Sequence, residues 1–229
     1  MSTAGFDAYA AQYDAALQQG IGVSGENRDY FARGRVAWLA HECHRLGFPA
    51  PQRIVDFGCG TGDTAPVLQE FFGPVKLLGL DTSARSLDFA RERFHGAEFA
   101  LLQDYRPRGE ADLVYCNGVF HHIPPADRPA VLAMVRQLLR PGGLFALWEN
   151  NPWNPGARLV MHRIPFDRGA IMLWPGPTRR LLRHAGFSIL GTSSRFFFPR
   201  ALRFLRPLEN ALSRTALGAQ YQVLAGKPR

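Results

Sequence analysis

The feature that most constrains this chain is the stretch from Arg53 to Leu68. It opens with Ile54-Val55, a short β-branched run typical of a buried parallel strand. Glycines then recur at every second position, and a helix start follows, with Pro66 acceptable in its first turn. Strand, glycine turn and helix N-terminus together predict backbone that lies close to a ligand and offers it free N–H groups. The turn glycines are Gly58, Gly60 and Gly62.

The spacing of these glycines excludes two common nucleotide sites. A dinucleotide fingerprint reads G-x-G-x-x-G, and a P-loop ends in Gly-Lys-Ser/Thr. Here the pattern is Asp56-x-Gly58-x-Gly60-x-Gly62, with no lysine. Taken alone, it also fits a tight turn that binds nothing.

Composition limits the compartment and the partners. The chain has 229 residues, 46% hydrophobic, and no apolar run reaches the length of a membrane span. We expect no secretory signal, because the N-terminus lacks a basic segment followed by an apolar core. We expect no metal site, because the spacings of Cys43, Cys59 and Cys116 match no metal motif. A reduced, cytoplasmic protein is the simplest interpretation.

The net charge of +8 is concentrated near the C-terminus. From Arg179 to Arg229 there are ten Arg or Lys residues against one acid, Glu209. A nucleic-acid surface centred on the glycine turn is therefore not expected.

The remaining pattern predicts alternating helices and strands. A short helix over Phe6 to Gly20, carrying Tyr9 and Tyr13, is either a packing helix or a mobile lid over a ligand. The other predicted helices are Glu26–Leu46, Ala84–Phe94 and Asp127–Arg140, and the later strands are Val75–Leu80, Phe99–Leu102, Ala111–Cys116 and Leu144–Trp148.

Polar residues follow several of these strands, where α/β folds place ligands. Asp81-Thr82 comes after the second strand, and Asp81 suits ribose hydroxyls, although it also suits a helix N-cap. Asp104-Tyr105 follows the third strand and suits an adenine amino group and ring. Asn117, His121 and His122 follow the fourth strand, and Glu149 ends the fifth.

These segments together resemble the class I S-adenosylmethionine (SAM) methyltransferases. The matching pieces are VDFGCGTGD, LGLDTS, QDY, DLVYCNGVFHHIP and LRPGGLFALWEN, in the family's order. The resemblance implies an α/β fold: a Rossmann-like seven-stranded sheet with helices on both faces and an antiparallel last strand. Phe187–Arg195 and Tyr221–Ala225 would supply strands six and seven.

The resemblance also implies the cofactor contacts. The methionine half of SAM would lie on the glycine turn and near Asn117, the ribose on Asp81, and the adenine on Asp104 and Tyr105. Tyr13 would close over the sulfonium. The full implied set is Tyr13, Asp56, Gly58, Cys59, Gly60, Gly62, Asp81, Thr82, Asp104, Tyr105 and Asn117.

A base is needed only if the methyl acceptor carries a proton on its attacking atom. We expect His122 to serve first, His121 second and Glu149 third, because an imidazole accepts a proton near neutrality. His121 equally fits a packed histidine bonded to a carbonyl, and Glu149 fits a group that orients another residue.

Two segments depart from the bare fold. The proline-rich insertion 152–177 is expected to line the acceptor pocket through Trp153, Arg158, His162 and Arg163, or else to cover the sheet edge. Arg200–Leu217 reads as a basic amphipathic helix that either touches an anionic membrane or covers the sheet with its leucines. We expect the second.

The prediction is thus one domain over 1–229: a helical cover at 1–47, a SAM-binding core at 48–151, the insertion, and a sheet edge with the basic helix at 178–229. The predicted function is methyl transfer to oxygen or nitrogen of a small molecule. The alternatives are a lipid-linked or quinone-like acceptor, and a SAM-binding protein without catalysis. RNA or protein methylation is weaker, since no separate RNA-binding module or Asn-Pro-Pro-Tyr-like motif is present.

Overall fold

The computed structural model describes residues 13–167 and 169–229, with side chains from Leu17 onward. Its centre is a seven-stranded sheet in the order β3-β2-β1-β4-β5-β7-β6. Strands β1 to β5 run parallel, and β7 is antiparallel to both β5 and β6. The strands are β1 Arg53–Phe57, β2 Lys76–Asp81, β3 Glu98–Leu101, β4 Ala111–Asn117, β5 Leu139–Asn150, β6 Ser188–Arg195 and β7 Gln220–Gly226. The predicted fold class is confirmed.

Helices cover both faces of the sheet, as the alternation of β4 illustrates. Leu113 and Tyr115 pack under α2 and α3, whereas Val114 and Cys116 pack under α5 and α7 on the other face. The helices are α1 Tyr13–Ile21, α2 Arg28–Arg45, α3 Ala65–Phe72, α4 Ala84–Arg93, α5 Arg128–Leu138, α6 Pro155–Arg163, α7 Pro175–His184 and α8 Glu209–Leu212. None of the helices in the described residues is long and apolar enough to span a membrane.

Strand β5 is longer than predicted. The helix expected over Asp127–Arg140 ends at Leu138, and β5 already pairs with Ala111 through Leu139. Pro141-Gly142-Gly143 lies within the strand as an irregularity, where Gly142 has φ +76° and donates its N–H to Lys227 O at 2.9 Å, while Lys227 N donates to Gly143 O at 2.8 Å. Pro141-Gly142-Gly143 therefore forms a bulge within β5 and does not mark the end of the preceding helix.

The predicted basic helix Arg200–Leu217 is wrong. The structure has a 3-10 segment, Arg200–Leu208, broken at Leu202 and containing Pro207, and then only the four residues of α8. Its apolar side chains do not cover the sheet: Leu202, Leu208 and Leu217 are exposed, and Phe204 is 71% exposed.

Two inward-facing charges hold this tail in place. Arg206 donates to Glu26 Oε1 at 2.8 Å and lies over the Tyr30 ring, 4.5 Å from its centroid. The buried Glu209 accepts from the backbone N–H groups of Phe197 and Phe198 at 3.1 and 3.2 Å. The tail is therefore anchored by polar contacts and leaves its apolar side chains in solvent.

Candidate active site

A cavity of about 660 Å³ lies beyond the carboxyl ends of β1 and β4. Its size falls within the ordinary range of small-molecule sites. Five parts of the chain form its wall: α1 and the start of α2, the glycine turn, the turn after β4, the insertion, and the beginning of the tail. Representative lining residues are Leu17, Arg35, Asp56, Gly60, Asn117, His122, Val160, Asp167 and Phe197.

The glycine turn is fixed by the neighbouring strand. The N–H groups of Gly58 and Cys59 both donate to Leu80 O, at 2.7 and 3.1 Å. Gly60 N donates to Asp81 Oδ2 at 2.8 Å. Gly60 has φ +53°, and a Cβ placed on it would meet no protein atom within 4 Å. The backbone at Gly60 is therefore open to a ligand.

Gly62 has a different role from the one predicted. It does not line the cavity. A Cβ on it would lie 2.9 Å from Ala90 Cβ and 3.1 Å from atoms of Phe94 and Phe99. Its predicted contact with cofactor is thus not seen, and it allows the turn to pack on α4 and β3.

The residues behind the turn fit the amino-acid half of SAM. Asp56 is buried, and its Oδ2 has no hydrogen-bond partner among the described residues. Burial and the neighbouring Asp81 raise the pKa of Asp56 to about 7, against the opposing effect of Arg35. Arg35 is a buried cation on the same wall, bonded to Tyr115 Oη at 3.0 Å. An ammonium group would satisfy Asp56, and a carboxylate would satisfy Arg35.

The predicted ribose and adenine contacts lie outside this cavity. Asp81 is half-buried, and its carboxylate already accepts from Gly60 N and from Ser83 N at 2.9 Å. It therefore shapes the turn, although a carboxylate can accept further hydrogen bonds. Thr82 and Asp104 are exposed, and Tyr105 packs partly on the core. Their roles stay predictions.

The turn after β4 is held from behind by Glu149. Phe120 N donates to Glu149 Oε1 at 2.9 Å, and His121 Nδ1 lies 2.6 Å from Glu149 Oε2. Arg128 fixes the same turn by donating to the carbonyls of Phe120 and Ile123. Glu149 does not line the cavity. Its geometry is that of a positioning residue, so the predicted catalytic role is not supported.

Asp167, from the insertion, joins the two histidines. Its Oδ1 lies 3.6 Å from His121 Nε2 and 3.2 Å from His122 Nε2. Burial alone would raise the pKa of Asp167, but its hydrogen bonds with both histidines lower it. His121, His122 and Asp167 all face the cavity and are called the histidine cluster below.

The surroundings shift the pKa values of the two histidines in opposite directions. Burial disfavours a charged His121, but the Glu149 and Asp167 carboxylates outweigh burial and raise its pKa to about 10. For His122, burial is the largest effect and His121 adds to it, so its pKa falls despite Asp167. His122 is thus the neutral member of the pair at pH 7.

The insertion meets the cavity through residues other than those predicted. Trp153, Arg158, His162 and Arg163 are exposed and do not line it, so their predicted substrate contacts are wrong for this cavity. The reason is helix α6, which was not foreseen in this proline-rich stretch. Its outer face carries Arg158, His162 and Arg163, and Trp153 precedes it. The insertion residues that do line the cavity are Asn154, Gly156, Ala157, Leu159, Val160, Ile164, Phe166 and Asp167.

The N-terminal part closes the opposite side. Leu17 and Ile21 line the cavity, and a Cβ on Gly20 would lie 2.4 Å from Ile164 Cγ1. Helix α1 therefore packs closely on the insertion. Tyr9 and the side chain of Tyr13 lie outside the described part of the chain. Arg28, at the start of α2, pairs with Asp63 beside the glycine turn.

Sequence patterns missed two residues of this site. Asp167 follows Phe166 in a stretch without periodicity, and only the fold brings it to the histidines. Arg35 lies within the predicted helix Glu26–Leu46, for which no site residue was predicted. A basic residue among the apolar positions Ala32, Val36 and Leu39 was the available signal.

Comparison with known proteins supports a methyltransferase fold for this chain. Residues 55–145 match the family model of a methyltransferase domain. Relatives named trans-aconitate 2-methyltransferase include one from Acidovorax sp. (strain JS42), 36% identical over 105 residues, covering 45% of this chain and 40% of the relative. One from Methylobacterium radiotolerans is 34% identical over 119 residues, covering 51% and 45%. The chain thus spans less than half the length of these relatives.

Solved structures share the fold over nearly the whole chain. A chain of the Haloferax volcanii complex between the Trm112 methyltransferase activator and a methyltransferase superposes with a TM-score of 0.66, 20% identity and 98% coverage of both. A TehB-like SAM-dependent methyltransferase from Corynebacterium glutamicum gives 0.63 at 16% identity, covering 97% and 99%. The matched domain, the sheet order and the glycine turn together make this chain similar to the class I S-adenosylmethionine-dependent methyltransferases, in residues 55–145 by sequence and over nearly its whole length by fold.

Proposed function

We propose that this protein transfers the methyl group of SAM to an oxygen or nitrogen atom of a small-molecule acceptor by in-line displacement. The supporting observation is the continuity of one cavity. Gly60 and Asp56 lie on its wall together with the histidine cluster and the insertion. A donor on the glycine turn and an acceptor beside the insertion would share an enclosed space.

The residues of this cavity act mainly by positioning. SAM supplies a methyl group already activated by its sulfonium. Holding two reactants in line and away from water accounts for much of the barrier reduction in such reactions. Asp56 and Arg35 would fix the donor, and α1, packed on Ile164, would exclude solvent.

The acceptor end of the cavity favours a largely apolar molecule. Its wall carries Leu159, Val160, Ile164 and Phe197. The insertion adds one carboxylate there, Asp167, which lies against both histidines. We therefore propose an acceptor with an apolar body and a hydroxyl or amine, unlike the trans-aconitate in the relatives' name.

An acceptor hydroxyl must lose its proton, and the histidine cluster is placed to help. The sequence predicts His122 as the base. Its lowered pKa keeps it neutral and able to accept a proton, and Asp167 would stabilise the resulting imidazolium.

Two measurements test the proposal. Calorimetry should show one site for S-adenosylhomocysteine (SAH), and labelled SAM should transfer its methyl group to members of a panel of apolar alcohols, phenols and amines. Failure of the wild type to bind SAH would refute the proposal at its first step. Binding without transfer to any acceptor class would favour the non-catalytic SAM-binding protein.

The exposed tail supports a second candidate, a lipid-linked or quinone-like acceptor. Phe197 and Phe198 line the cavity, and the same tail continues into the exposed Leu202, Phe204 and Leu208. An apolar acceptor could pass along this surface from a membrane to the cavity. Binding of the tail to anionic vesicles would separate this candidate from a freely diffusing acceptor.

A further inference from the structure

The histidine cluster has the composition of a metal site. It offers two imidazole nitrogens and one carboxylate oxygen, and the three ligand atoms all lie within 4.8 Å of one another. Imidazole and carboxylate together suit divalent first-row transition metals, and a two-histidine, one-carboxylate set is a known ligand combination for them.

The distances within the cluster also suit a shared ion. Metal–nitrogen and metal–oxygen bonds are about 2.0–2.2 Å long, so two ligand atoms on one tetrahedral ion lie roughly 3.4 Å apart. Asp167 Oδ1 lies 3.6 Å from His121 Nε2 and 3.2 Å from His122 Nε2. An ion could bind with only small movements of these side chains, and it would displace the proton on His121 Nε2.

A supporting carboxylate stands behind the cluster. Glu149 Oε2 lies 2.6 Å from His121 Nδ1, while its Oε1 accepts from Phe120 N. A carboxylate on the far nitrogen of a ligating histidine fixes the ring orientation and tautomer, and it directs Nε2 toward the metal. Here it directs His121 Nε2 toward Asp167.

We propose that His121, His122 and Asp167 bind one divalent transition-metal ion, and that the acceptor coordinates this ion through an oxygen atom. The second part rests on the proposed function; the first does not. With three protein ligands, the ion keeps at least one position for another ligand, and the cluster faces the cavity where the acceptor would lie.

The ion would replace His122 as the means of activating the acceptor. A bound cation lowers the pKa of a coordinated hydroxyl, whose proton passes to water. The S–CH₃ bond of SAM then breaks as the O–CH₃ bond forms, giving SAH, the methyl ether and one proton. An acceptor with two adjacent oxygen donors would bind best, because it can chelate the ion.

Without an ion, Glu149, His121, Asp167 and His122 lie in series, with Glu149 Oε2 2.6 Å from His121 Nδ1 and Asp167 Oδ1 3.6 and 3.2 Å from the Nε2 atoms of His121 and His122. That arrangement makes His122 a general base. Since both uses occupy His122 Nε2, they exclude each other, and metal binding decides between them.

Tag-free protein is stripped with a chelator and titrated with Zn²⁺, Mn²⁺ and Co²⁺ by calorimetry. The bound metal is counted by elemental analysis, and Co²⁺ is also followed by its visible absorption. We expect one ion per chain. His122→Ala and Asp167→Asn should weaken Zn²⁺ binding by about 100-fold or more, and Glu149→Gln by about 10–100-fold.

The exposed histidines supply matched controls. His162→Ala and His184→Ala remove imidazoles outside the cavity and should leave metal affinity unchanged. Melting temperature is measured for each variant, and His122, the least buried of the three ligands, is informative even if Asp167→Asn fails to fold.

Absence of a stoichiometric ion, or equal affinity in wild type, His122→Ala and Asp167→Asn, overturns the metal site and leaves His122 as the base. SAH binding is measured on the stripped protein in parallel. If the protein binds SAH but no metal ion, only the metal site is refuted. If the protein binds no SAH at all, with or without metal, the proposed function is refuted.

Discussion

Replacement of Gly60 should remove SAH binding while the fold survives. Its Cβ would meet no protein atom within 4 Å, so the cost to folding comes from its φ of +53° alone. A left-handed backbone costs an L-residue about 1–2 kcal/mol. Asparagine tolerates this conformation better than alanine. Gly60→Asn therefore tests occlusion of the ligand with less strain than Gly60→Ala.

The effect on binding is larger for the longer side chain. One added methyl group in a filled contact costs about 1–3 kcal/mol, which corresponds to roughly 5- to 150-fold in affinity. We expect Gly60→Ala to weaken SAH binding within that range and Gly60→Asn to reduce it below detection.

Gly62→Ala should have the opposite effect, with a loss of folding stability and nearly unchanged SAH binding. Its Cβ would press on Ala90, Phe94 and Phe99, so strain and overpacking together should cost about 2–5 kcal/mol of folding free energy. The fraction that stays folded should bind SAH within a few-fold of wild type. Urea unfolding gives the stability, and calorimetry gives the affinity.

Two outcomes would refute this reasoning. One is Gly60→Asn protein that is folded and binds SAH as wild type does. The other is folded Gly62→Ala protein that loses binding as fully as Gly60→Asn, since Gly62 does not reach the cavity.

Three further predictions concern other parts of the site. His122→Ala should lower turnover at least tenfold more than SAH affinity, and equal losses in the two measurements would contradict a role beside the acceptor. Hydrogen exchange over residues 13–25 should slow when SAH is added, because bound ligand would stabilise the packing of α1 on Ile164; unchanged exchange would exclude a lid. In ligand-free protein, the raised pKa of Asp56 (about 7) should make stability fall by up to about 4 kcal/mol as pH rises from about 4 to 8. Asp56→Asn should flatten that part of the profile measured by urea unfolding, and an unchanged slope would show that Asp56 is not its source.

Local rules bring five of the eleven predicted cofactor residues to the cavity, because most of that wall is built from contiguous sequence. A strand, a glycine turn and a helix start lie next to one another in the chain, and the order of polar strand ends follows from parallel pairing. Asp56, Gly58, Cys59, Gly60 and Asn117 were all expected near a ligand, and all line the cavity.

The acceptor side depends on contacts between distant segments, and there the predicted insertion residues do not line the cavity, although His121 and His122 do. Asp167 reaches the histidines only because the insertion folds back, with Ile171 N donating to His121 O at 2.8 Å. Nothing within the insertion marks which face of α6 points inward. Its charged residues were predicted to line the acceptor pocket, although charged residues on a helix usually lie on the solvent face.

The helix predicted over Arg200–Leu217 was wrong for a related reason, because the prediction rested on the spacing of the leucines. Pro207 and the break at Leu202 prevent one, and the anchoring charges Arg206 and Glu209 look like ordinary surface residues in the sequence. The expectation that the leucines cover the sheet no longer holds. The exposed apolar side chains now lie beside Arg200 and Arg203, which is the combination that binds anionic membranes.

The last prediction follows from this surface. Each arginine near an anionic membrane contributes roughly 1 kcal/mol, so Arg200→Gln/Arg203→Gln should weaken vesicle binding by about 30-fold. Arg206 is left intact because it anchors the tail to Glu26. The charge-matched control is Arg179→Gln/Arg180→Gln, on the exposed side of α7.

Co-sedimentation with phosphatidylserine-containing vesicles at low and high salt provides the measurement. We expect the wild type and the α7 control to pellet at low salt and to be released as salt screens the charges. Phe204→Ser should also reduce pelleting, at both salt concentrations, because it removes apolar area rather than charge. Pelleting that is absent in the wild type, or equal in all four proteins, would exclude the membrane route and leave a freely diffusing acceptor as the substrate of this site.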